Sequence, residues 1–164
     1  MSDKPKIGEQ WQGQGGIRAG AEIPTADGRS YDLVVVTDAA GKPVLLDAAE
    51  WGLYGTEVEG ADNFTDGTAN HTALLAAGHE LSKAAAAIAT VDGQTDCTLP
   101  SIGESNIVRA LLPDLVQVED DEDLWSNTQY SGNLAWIQYF SSGFTDYWDK
   151  HDSHRALVVR RVWR

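Results

Sequence analysis

A block of helical periodicity lies between two blocks of strand periodicity, and this order limits the fold more than any other feature of the chain. Residues 31–36 form a run of β-branched and apolar side chains that is typical of a strand. Residues 70–89 carry leucine, alanine and isoleucine at helical spacing, and residues 135–148 alternate apolar with polar side chains. Strands followed by helices and then by strands favour an α+β fold over a parallel α/β sheet.

Local signals predict where the main elements begin and end. Ser101 and Glu104 have the spacing of a capping box, which starts a second helix that Pro113 stops. A glycine-containing turn at 141–143 joins two alternating segments into a hairpin. We therefore expect an N-terminal β-hairpin over 31–46, helices over 70–89 and 101–112, a hairpin over 135–148 and a last strand over 156–163.

Length and charge narrow the classes of function. With 164 residues the chain can build one good core, so we expect a single domain over 1–164 with an N-terminal arm over 1–14. The 25 acidic and 12 basic side chains give a formal net charge of −13, which disfavours binding to nucleic acid and to anionic membranes. No apolar stretch approaches ~18 residues and the first residues are polar, so we expect neither a membrane span nor a signal peptide.

Candidate metal ligands occur in two segments, and both have a simpler explanation. Residues 146–154 contain aspartates and histidines, which a solvated loop between two strands explains equally well. The acidic run at 119–123 could offer carboxylates to calcium, but it lacks the spacing of a helix–loop–helix calcium site. A solvated acidic loop is the favoured interpretation, so we predict no cofactor and no metal, with calcium at 119–123 as the alternative.

Motifs for catalysis are missing from the sequence. Neither G-x-S-x-G nor H-E-x-x-H occurs, and the glycines at 13–16 do not complete a nucleotide-binding pattern. Cys97 is the single cysteine, so no internal disulfide can form, and a buried, inert thiol is its expected state. His71 and His79 are expected at the surface of the first helix. We predict that the protein is not an enzyme.

Aromatic side chains concentrate in the C-terminal third, where they alternate with small polar residues. Period-two alternation places Trp136 and Phe140 on one face of a strand, and we expect both in the core together with Trp125. The polar and aromatic residues that fit a core less well have the composition of a recognition surface. These predicted binding residues are Asn127, Gln129, Tyr130, Asn133, Thr145, Tyr147, Asp149, His151 and His154.

Several short motifs follow one another between residues 66 and 163. They are DGQTDCTLPS at 92–101 followed by Glu104, LWSNTQY at 124–130, AWIQYF at 135–140, Ser142-Gly143, and the closing segment from Arg155 to Arg161. In this order and spacing they resemble the Lcl C-terminal domain family, long known as a domain of unknown function. Cys97, Thr98 and Asn127 depart from the pattern, because they stand where the family usually has Trp, Arg and Ser.

The resemblance implies a C-type-lectin-like fold, in which two helices flank a small twisted, mostly antiparallel sheet and the terminal strands pair. It also implies relatives among bacterial surface adhesins and small bacteriophage proteins. The Gly-Gln-Gly-Gly sequence at 13–16 resembles the phage-encoded members. The adhesin relatives are linked to anionic glycans, which a chain of net charge −13 is poorly suited to bind.

Together these observations predict a non-enzymatic binding or structural module of a bacteriophage. Its expected place is the virion, as a tail or receptor-recognition component that binds a protein partner or a cell-surface glycan. A homo-oligomer within a larger assembly is compatible with this role. The alternative is a small acidic effector in the host cytoplasm that binds and masks a basic host protein, because acidic surfaces can mimic nucleic acid.

Overall fold

The computed structural model describes residues 3–117 and 123–164, so residues 119–122 of the acidic run lie outside the described part of the chain. The described residues form nine strands and three helices, which confirms the α+β class. In chain order they are β1 (Gln10–Trp11), β2 (Gly16–Pro24), β3 (Ser30–Val36), β4 (Leu45–Glu50), α1 (Gly67–Ala76), α2 (Glu80–Ala86), α3 (Ile102–Leu111), β5 (Asp123–Gln129), β6 (Leu134–Tyr139), β7 (Thr145–Asp149), β8 (Ser153–Leu157) and β9 (Val159–Trp163).

The strands of the described chain belong to two sheets, where the sequence led us to expect one. The first sheet has the order β1-β2-β3-β9 and is antiparallel. The second has the order β4-β8-β5-β6-β7, and its strands are antiparallel except for the parallel pair β5 and β8. The C-terminal strand β9 thus shares a sheet with the first three strands of the chain.

The N-terminal hairpin uses different residues from those that the sequence predicted. Strands β3 and β4, which were expected to pair over 31–46, belong to different sheets, and Thr37 and Pro43 form an isolated bridge between them. Strand β3 pairs instead with β2, across a turn in which the Thr25 N–H donates to the Arg29 carbonyl (2.8 Å). Because β3 is almost fully buried, its backbone needs a partner strand on each side, and β2 and β9 supply them.

The C-terminal run that was expected as one strand over 156–163 crosses from one sheet to the other. Strand β8 pairs with β4 and β5 in the second sheet, and β9 pairs with β3 in the first. Val158 lies between the two strands, and its carbonyl accepts the Val36 N–H at 3.0 Å. A single extended segment therefore connects the two sheets.

The helix that was expected over 70–89 is two helices, so the two-helix prediction is wrong. Gly78 has a φ of 78°, which a helix cannot continue through, and His79 caps α2 by accepting the Ser82 N–H. Helix α3 has both hydrogen bonds of the capping box that Ser101 and Glu104 predicted. No helix in the described residues is long and apolar enough to cross a membrane.

Buried apolar side chains form two main groups, and the predicted core residues Trp125 and Phe140 lie one in each. Residues of the expected N-terminal arm pack on the same domain, since Trp11 is buried and the Lys4 Nζ lies 3.0 Å from an Asp32 carboxylate oxygen. The first group includes Trp51, Leu74, Leu99, Trp125 and Ile137, and the second includes Tyr31, Leu33, Val108, Leu124 and Phe140.

Candidate functional site

The residues predicted to bind a partner lie in three environments. Tyr130 and Tyr147 are exposed and touch each other, whereas Asn127 and Gln129 are buried in the interior. The others lie around the rim of the second sheet. Of these, Asn133 and His151 are exposed, and Thr145, Asp149 and His154 are half-buried.

Four aromatic side chains, from Phe64, Tyr130, Trp136 and Tyr147, meet on one face of the second sheet, and we call this group the aromatic patch. The rings of Tyr130 and Tyr147 are stacked, with centroids 4.1 Å apart and an interplanar angle of 16°. Trp136 lies edge to face with both tyrosines, at 5.2 and 5.5 Å, and Phe64 is 6.0 Å from Trp136. Phe64, Tyr130 and Tyr147 are 46%, 47% and 41% exposed, so the patch is open to solvent.

The register of the second sheet explains why these rings meet. Trp136 of β6 pairs directly with Tyr147 of β7, and paired residues of antiparallel strands point to the same face. Helix α3 covers the far end of that face, where Thr145 donates to the Asn106 side chain at 2.7 Å. The patch lies beyond the start of α3, where the Gly103 N–H donates to the Phe64 carbonyl.

The prediction that Trp136 belongs to the core is wrong. Alternation was judged correctly, because Trp136 does share a face with Phe140, but α3 covers that face only in part. Phe140 is buried against the helix side, whereas Trp136 is only half-buried beyond it. On the opposite face of β6, Ala135 and Ile137 are fully buried.

Asn127 was predicted at a binding surface, and this is also wrong because its side chain is fully buried. Its amide donates to the carbonyls of Gly67 (2.9 Å) and Leu99 (3.2 Å), and its oxygen accepts from Asn70. Neighbouring Thr128 donates to the Asn63 carbonyl at 3.0 Å. Thr128 therefore ties β5 to the segment before α1, and Asn127 ties β5 to the start of α1 and to the segment before α3.

Gln129 is likewise buried rather than exposed, at 2% of its accessible surface. It binds both backbone groups of Val58, accepting the N–H at 2.9 Å and donating to the carbonyl at 3.3 Å. The Gln129 oxygen also accepts from the Lys150 Nζ, which donates in addition to the Thr56 carbonyl. We call Asn70, Asn127, Thr128, Gln129 and Lys150, which are all buried, the buried polar layer.

Trp51 joins this layer to His79, which the sequence wrongly predicted to be at the surface. The indole of Trp51 lies between the Lys150 Nζ, 4.8 Å from its centroid, and the His79 ring at 4.2 Å. Burial lowers the pKa of His79 to about 4 and that of Lys150 to about 8, because a charged form is poorly solvated there. His71 is half-buried, and burial also lowers its pKa.

The rim residues have partners of their own. His154 Nδ1 lies 2.6 Å from an Asp123 carboxylate oxygen, and its ring packs edge to face on Trp125. His151 stacks on Tyr54 with centroids 3.7 Å apart, while Asp149 accepts the His151 N–H. The Asn133 carbonyl accepts the N–H of Lys150.

The candidate metal ligands that the structure describes are not gathered at one point. In the described residues no group of three or more histidine, cysteine, aspartate or glutamate side chains is arranged to hold a metal ion. The two histidines of 146–154 contact different partners, Glu50 for His151 and Asp123 for His154. Cys97 is buried, and burial raises the pKa of its thiol to about 11, so a reactive thiolate is disfavoured at neutral pH.

A buried ion pair in the first sheet was missed by the sequence interpretation. Arg161 donates to both carboxylate oxygens of Glu104, at 2.9 and 2.6 Å, and to the Thr98 hydroxyl. Tyr31 donates to the same carboxylate at 2.8 Å. The capping box had marked Glu104 as the start of α3, but nothing local marked Arg161 as its partner 57 positions away.

The aromatic patch is the exposed feature in which the predicted binding residues come together. It contains Tyr130 and Tyr147, and it adds Phe64, for which the only signal was an isolated aromatic residue in a loop rich in glycine and polar residues. No protein-family model matches the sequence, and no curated protein sequence matches it significantly. The functional interpretation therefore depends on the geometry of the patch.

Proposed function

We propose that this chain is a non-enzymatic binding module and that the aromatic patch is its recognition surface. The observation that carries the proposal is the exposure of three aromatic side chains, Phe64, Tyr130 and Tyr147, which each pack on a half-buried Trp136. Contiguous exposed apolar surface of this kind marks interaction sites in soluble proteins. Tyrosine and tryptophan are also the side chains that dominate the binding energy of protein interfaces.

A protein partner fits the patch better than a glycan does. Tyr130 and Tyr147 stack on each other, so each ring has already used one of its two faces, and less flat surface is left for a sugar ring. Their hydroxyl groups and ring edges remain able to contact a protein. The net charge of −13 further disfavours the anionic glycans to which the adhesin relatives of the Lcl C-terminal domain family are linked.

The chemistry of the interior supports a binding role over catalysis. The patch holds no nucleophile and no titratable base beyond the phenols. His79 and Cys97, which are reactive types, are buried, with the pKa of His79 lowered and that of Cys97 raised. An activated nucleophile would need the opposite shift at Cys97 and access to solvent.

We further propose a C-type-lectin-like fold and a place in a bacteriophage virion, as part of its tail or receptor-recognition apparatus. Three features of the described chain support the fold assignment. Strand β9 lies in one sheet with the N-terminal strands, α1 and α3 contact β5, and the LWSNTQY motif forms β5 at the centre of the second sheet. The virion role rests on the resemblance to phage-encoded members of the family.

The alternative role is an acidic effector that masks a basic host protein. The two roles place the protein in different compartments, so mass spectrometry of purified particles separates them. Detection at a fixed copy number per particle supports the virion role. Abundant protein in the infected cytoplasm, with none in purified particles, would support the effector instead.

The recognition surface is tested by comparing Tyr130→Ala and Tyr147→Ala with Tyr54→Ala. Tyr54 is a matched control, because it is 44% exposed and stacks on His151 outside the patch. Affinity capture from host lysate and a neutral-glycan array provide the readouts. We expect proteins captured by the unmodified chain and by Tyr54→Ala to be lost with both patch variants. Equal capture by all four proteins would refute the role of the patch as a recognition surface. Patch-dependent binding to the glycan array would show that the ligand is a glycan and not a protein.

A further inference from the structure

Strand β7 lies at one end of the second sheet. Among residues 3–117 and 123–164, β6 is the one strand that pairs with β7, and the sheet order ends there. An edge strand presents a row of backbone N–H and carbonyl groups to which another extended chain can add. The exposed side of β7 is therefore a site where a partner could extend the sheet.

The register identifies which backbone groups of β7 face outward. The Tyr139 N–H donates to the Phe144 carbonyl and the Lys150 N–H donates to the Asn133 carbonyl, and both pairs share the register of β6 and β7. In an antiparallel ladder the hydrogen-bonded positions alternate, so residues 144, 146, 148 and 150 face β6. Thr145, Tyr147 and Asp149 consequently direct their N–H and carbonyl groups away from the sheet, and of these the Asp149 carbonyl accepts the Asp152 N–H at 2.9 Å.

The Asp146 side chain binds one of the outward-facing backbone N–H groups of β7. The Tyr147 N–H donates to the Asp146 carboxylate at 2.8 Å, a local contact that an incoming carbonyl could replace. Two of the common protections of an edge, proline and lysine, are missing from the segment TDYWD, in which the charged side chains are those of Asp146 and Asp149. Lys150, the next residue, is buried with its Nζ bound to Thr56 and Gln129.

Aromatic side chains flank this edge on both faces. Tyr147 belongs to the aromatic patch on one face, whereas Trp148 points to the opposite face and is 40% exposed. An added strand would therefore place alternate side chains against Tyr147 and against Trp148. Burial of both rings would accompany the new backbone hydrogen bonds, which is the usual source of affinity in strand addition.

The negative charge at the β7 edge indicates which kind of partner strand would bind there. Asp146, Asp149 and Asp152 lie in or just after β7, and the sole lysine of this segment is buried. These carboxylates favour a partner that carries lysine or arginine. A second copy of the chain is disfavoured, because pairing through β7 would line one edge with the carboxylates of both copies.

We infer that β7 accepts an extended, basic segment of a partner protein as a sixth strand of the second sheet. The inference rests on the proposed function and specifies its partner. The segment carries lysine or arginine opposite Asp146 and Asp149, and two adjacent apolar side chains between them, opposite Tyr147 and Trp148. Each face of the added strand therefore meets one aromatic ring and one carboxylate.

The test begins with selection of random ten-residue linear peptides displayed on yeast against the full-length chain. We expect enrichment of sequences in which two adjacent apolar residues stand between lysine or arginine residues, without central prolines. The best peptide is then synthesised with backbone N-methyl groups at its odd residues or at its even residues. Only alternate N–H groups of an added strand face β7, so we expect one set to weaken binding ~10-fold or more and the other to have little effect. Isothermal titration calorimetry measures both.

Several results would overturn strand addition. They are no enriched peptide, enrichment of acidic or proline-rich sequences, an equal effect of the two methylated sets, or self-association through β7 that Asp146→Lys abolishes. Tyr130→Ala separates this inference from the proposed function. If Tyr130→Ala abolishes capture of the whole partner while the methylated sets do not differ, the aromatic patch stands and strand addition fails.

Discussion

The buried polar layer and the aromatic patch meet at the end of β5, where the usual distribution of side chains is reversed. Gln129 is 2% exposed and binds backbone groups of the interior, whereas its neighbour Tyr130 is 47% exposed and stacks on Tyr147. Residues 127–129 are polar and buried, and the patch is aromatic and open. Polarity alone therefore does not indicate which of these residues faces a partner.

The segment before α1 explains the buried side of this contrast. Residues 51–66 contain no helix or strand, so their backbone groups lack a regular ladder. Side chains of the buried polar layer take the place of that ladder, with Gln129 bound to Val58 and Thr128 bound to Asn63. The layer is thus a structural device, and the patch, which makes no such bonds, is free to serve binding.

Removal of one amide from the buried polar layer should have the largest effect. Asn127→Ala removes a donor from the Gly67 and Leu99 carbonyls, removes an acceptor from the Asn70 amide, and creates a small cavity, although the Leu99 carbonyl keeps the Thr98 hydroxyl. An unsatisfied buried group costs ~1–3 kcal/mol, so together with the cavity we expect a loss of about 3 kcal/mol in the free energy of unfolding. Urea denaturation measures the loss, and Asn133→Ala, at an exposed position, should stay within ~0.5 kcal/mol. Equal stability of the two variants would contradict the structural role of the layer.

Acid should weaken the part of the core that adjoins the layer. The pKa of His79 is lowered from 6.5 to about 4, so the unfolded chain binds a proton below pH 6.5 that the folded chain does not. Stability is therefore lost as the pH falls through this window, by roughly 2–3 kcal/mol between pH 7 and pH 4.5. The measurement is the difference in pH profile between the unmodified chain and His79→Asn, in which an amide oxygen replaces the capping Nδ1 and the side chain does not titrate. Parallel profiles would show that His79 is solvated.

Base should strengthen the fold through Lys150. Its pKa is lowered from 10.5 to about 8, so the folded chain releases its proton before the unfolded chain does. Stability rises with pH in this window, by about 2 kcal/mol between pH 7 and pH 9.5. The difference between the unmodified chain and Lys150→Met isolates this group, because the contribution of Cys97 cancels. A stability difference between the two proteins that does not change over this range would place the Lys150 amine in contact with water.

The two tryptophans of paired strands should differ in their effect on stability. Trp136→Ala removes a half-buried ring and should cost about 1–2 kcal/mol, well below the ~3–5 kcal/mol expected for a core tryptophan. Trp125→Ala is the matched control, because Trp125 is fully buried and should show the full loss. Thermal melts of both variants make the comparison. A loss for Trp136→Ala that equals or exceeds the loss for Trp125→Ala would show that Trp136 acts as a core residue.

Local signals in the sequence predicted local structure well. The capping box of Ser101 and Glu104 and the hairpin around Gly143 depend on residues a few positions apart, and both are present. The break between α1 and α2 also had a local signal, Gly78, which the strong alanine pattern obscured. The prediction gave more weight to the helix propensity of the alanines than to one glycine, although a single glycine with a positive φ is enough to end a helix.

Long-range contacts explain what the sequence could not predict. Strand β3 was expected to pair with the segment that follows it, but its partners are β2, which precedes it, and β9, which lies more than 100 residues away. Asn127 and Gln129 were predicted at a surface because their buried partners, Gly67 at the start of α1 and Val58 in the loop before it, are distant in sequence and carry no regular pattern. Trp136 was assigned to the core because the extent of α3 over its face is a tertiary property.

Comparison of the neighbours Gln129 and Tyr130 tests most directly whether the aromatic patch binds a partner while the buried polar layer stabilises the fold. Each is replaced by alanine, and the melting temperature is measured beside affinity for the captured partner. We expect Gln129→Ala to cost ~2–3 kcal/mol and to lower the melting temperature by roughly 6–10 °C. Tyr130→Ala should melt within ~2 °C of the unmodified chain and bind at least ~30-fold more weakly. A cooperative fold that melts far lower in Tyr130→Ala, together with full affinity, would show that the exposed rings hold the domain together and that recognition occurs elsewhere.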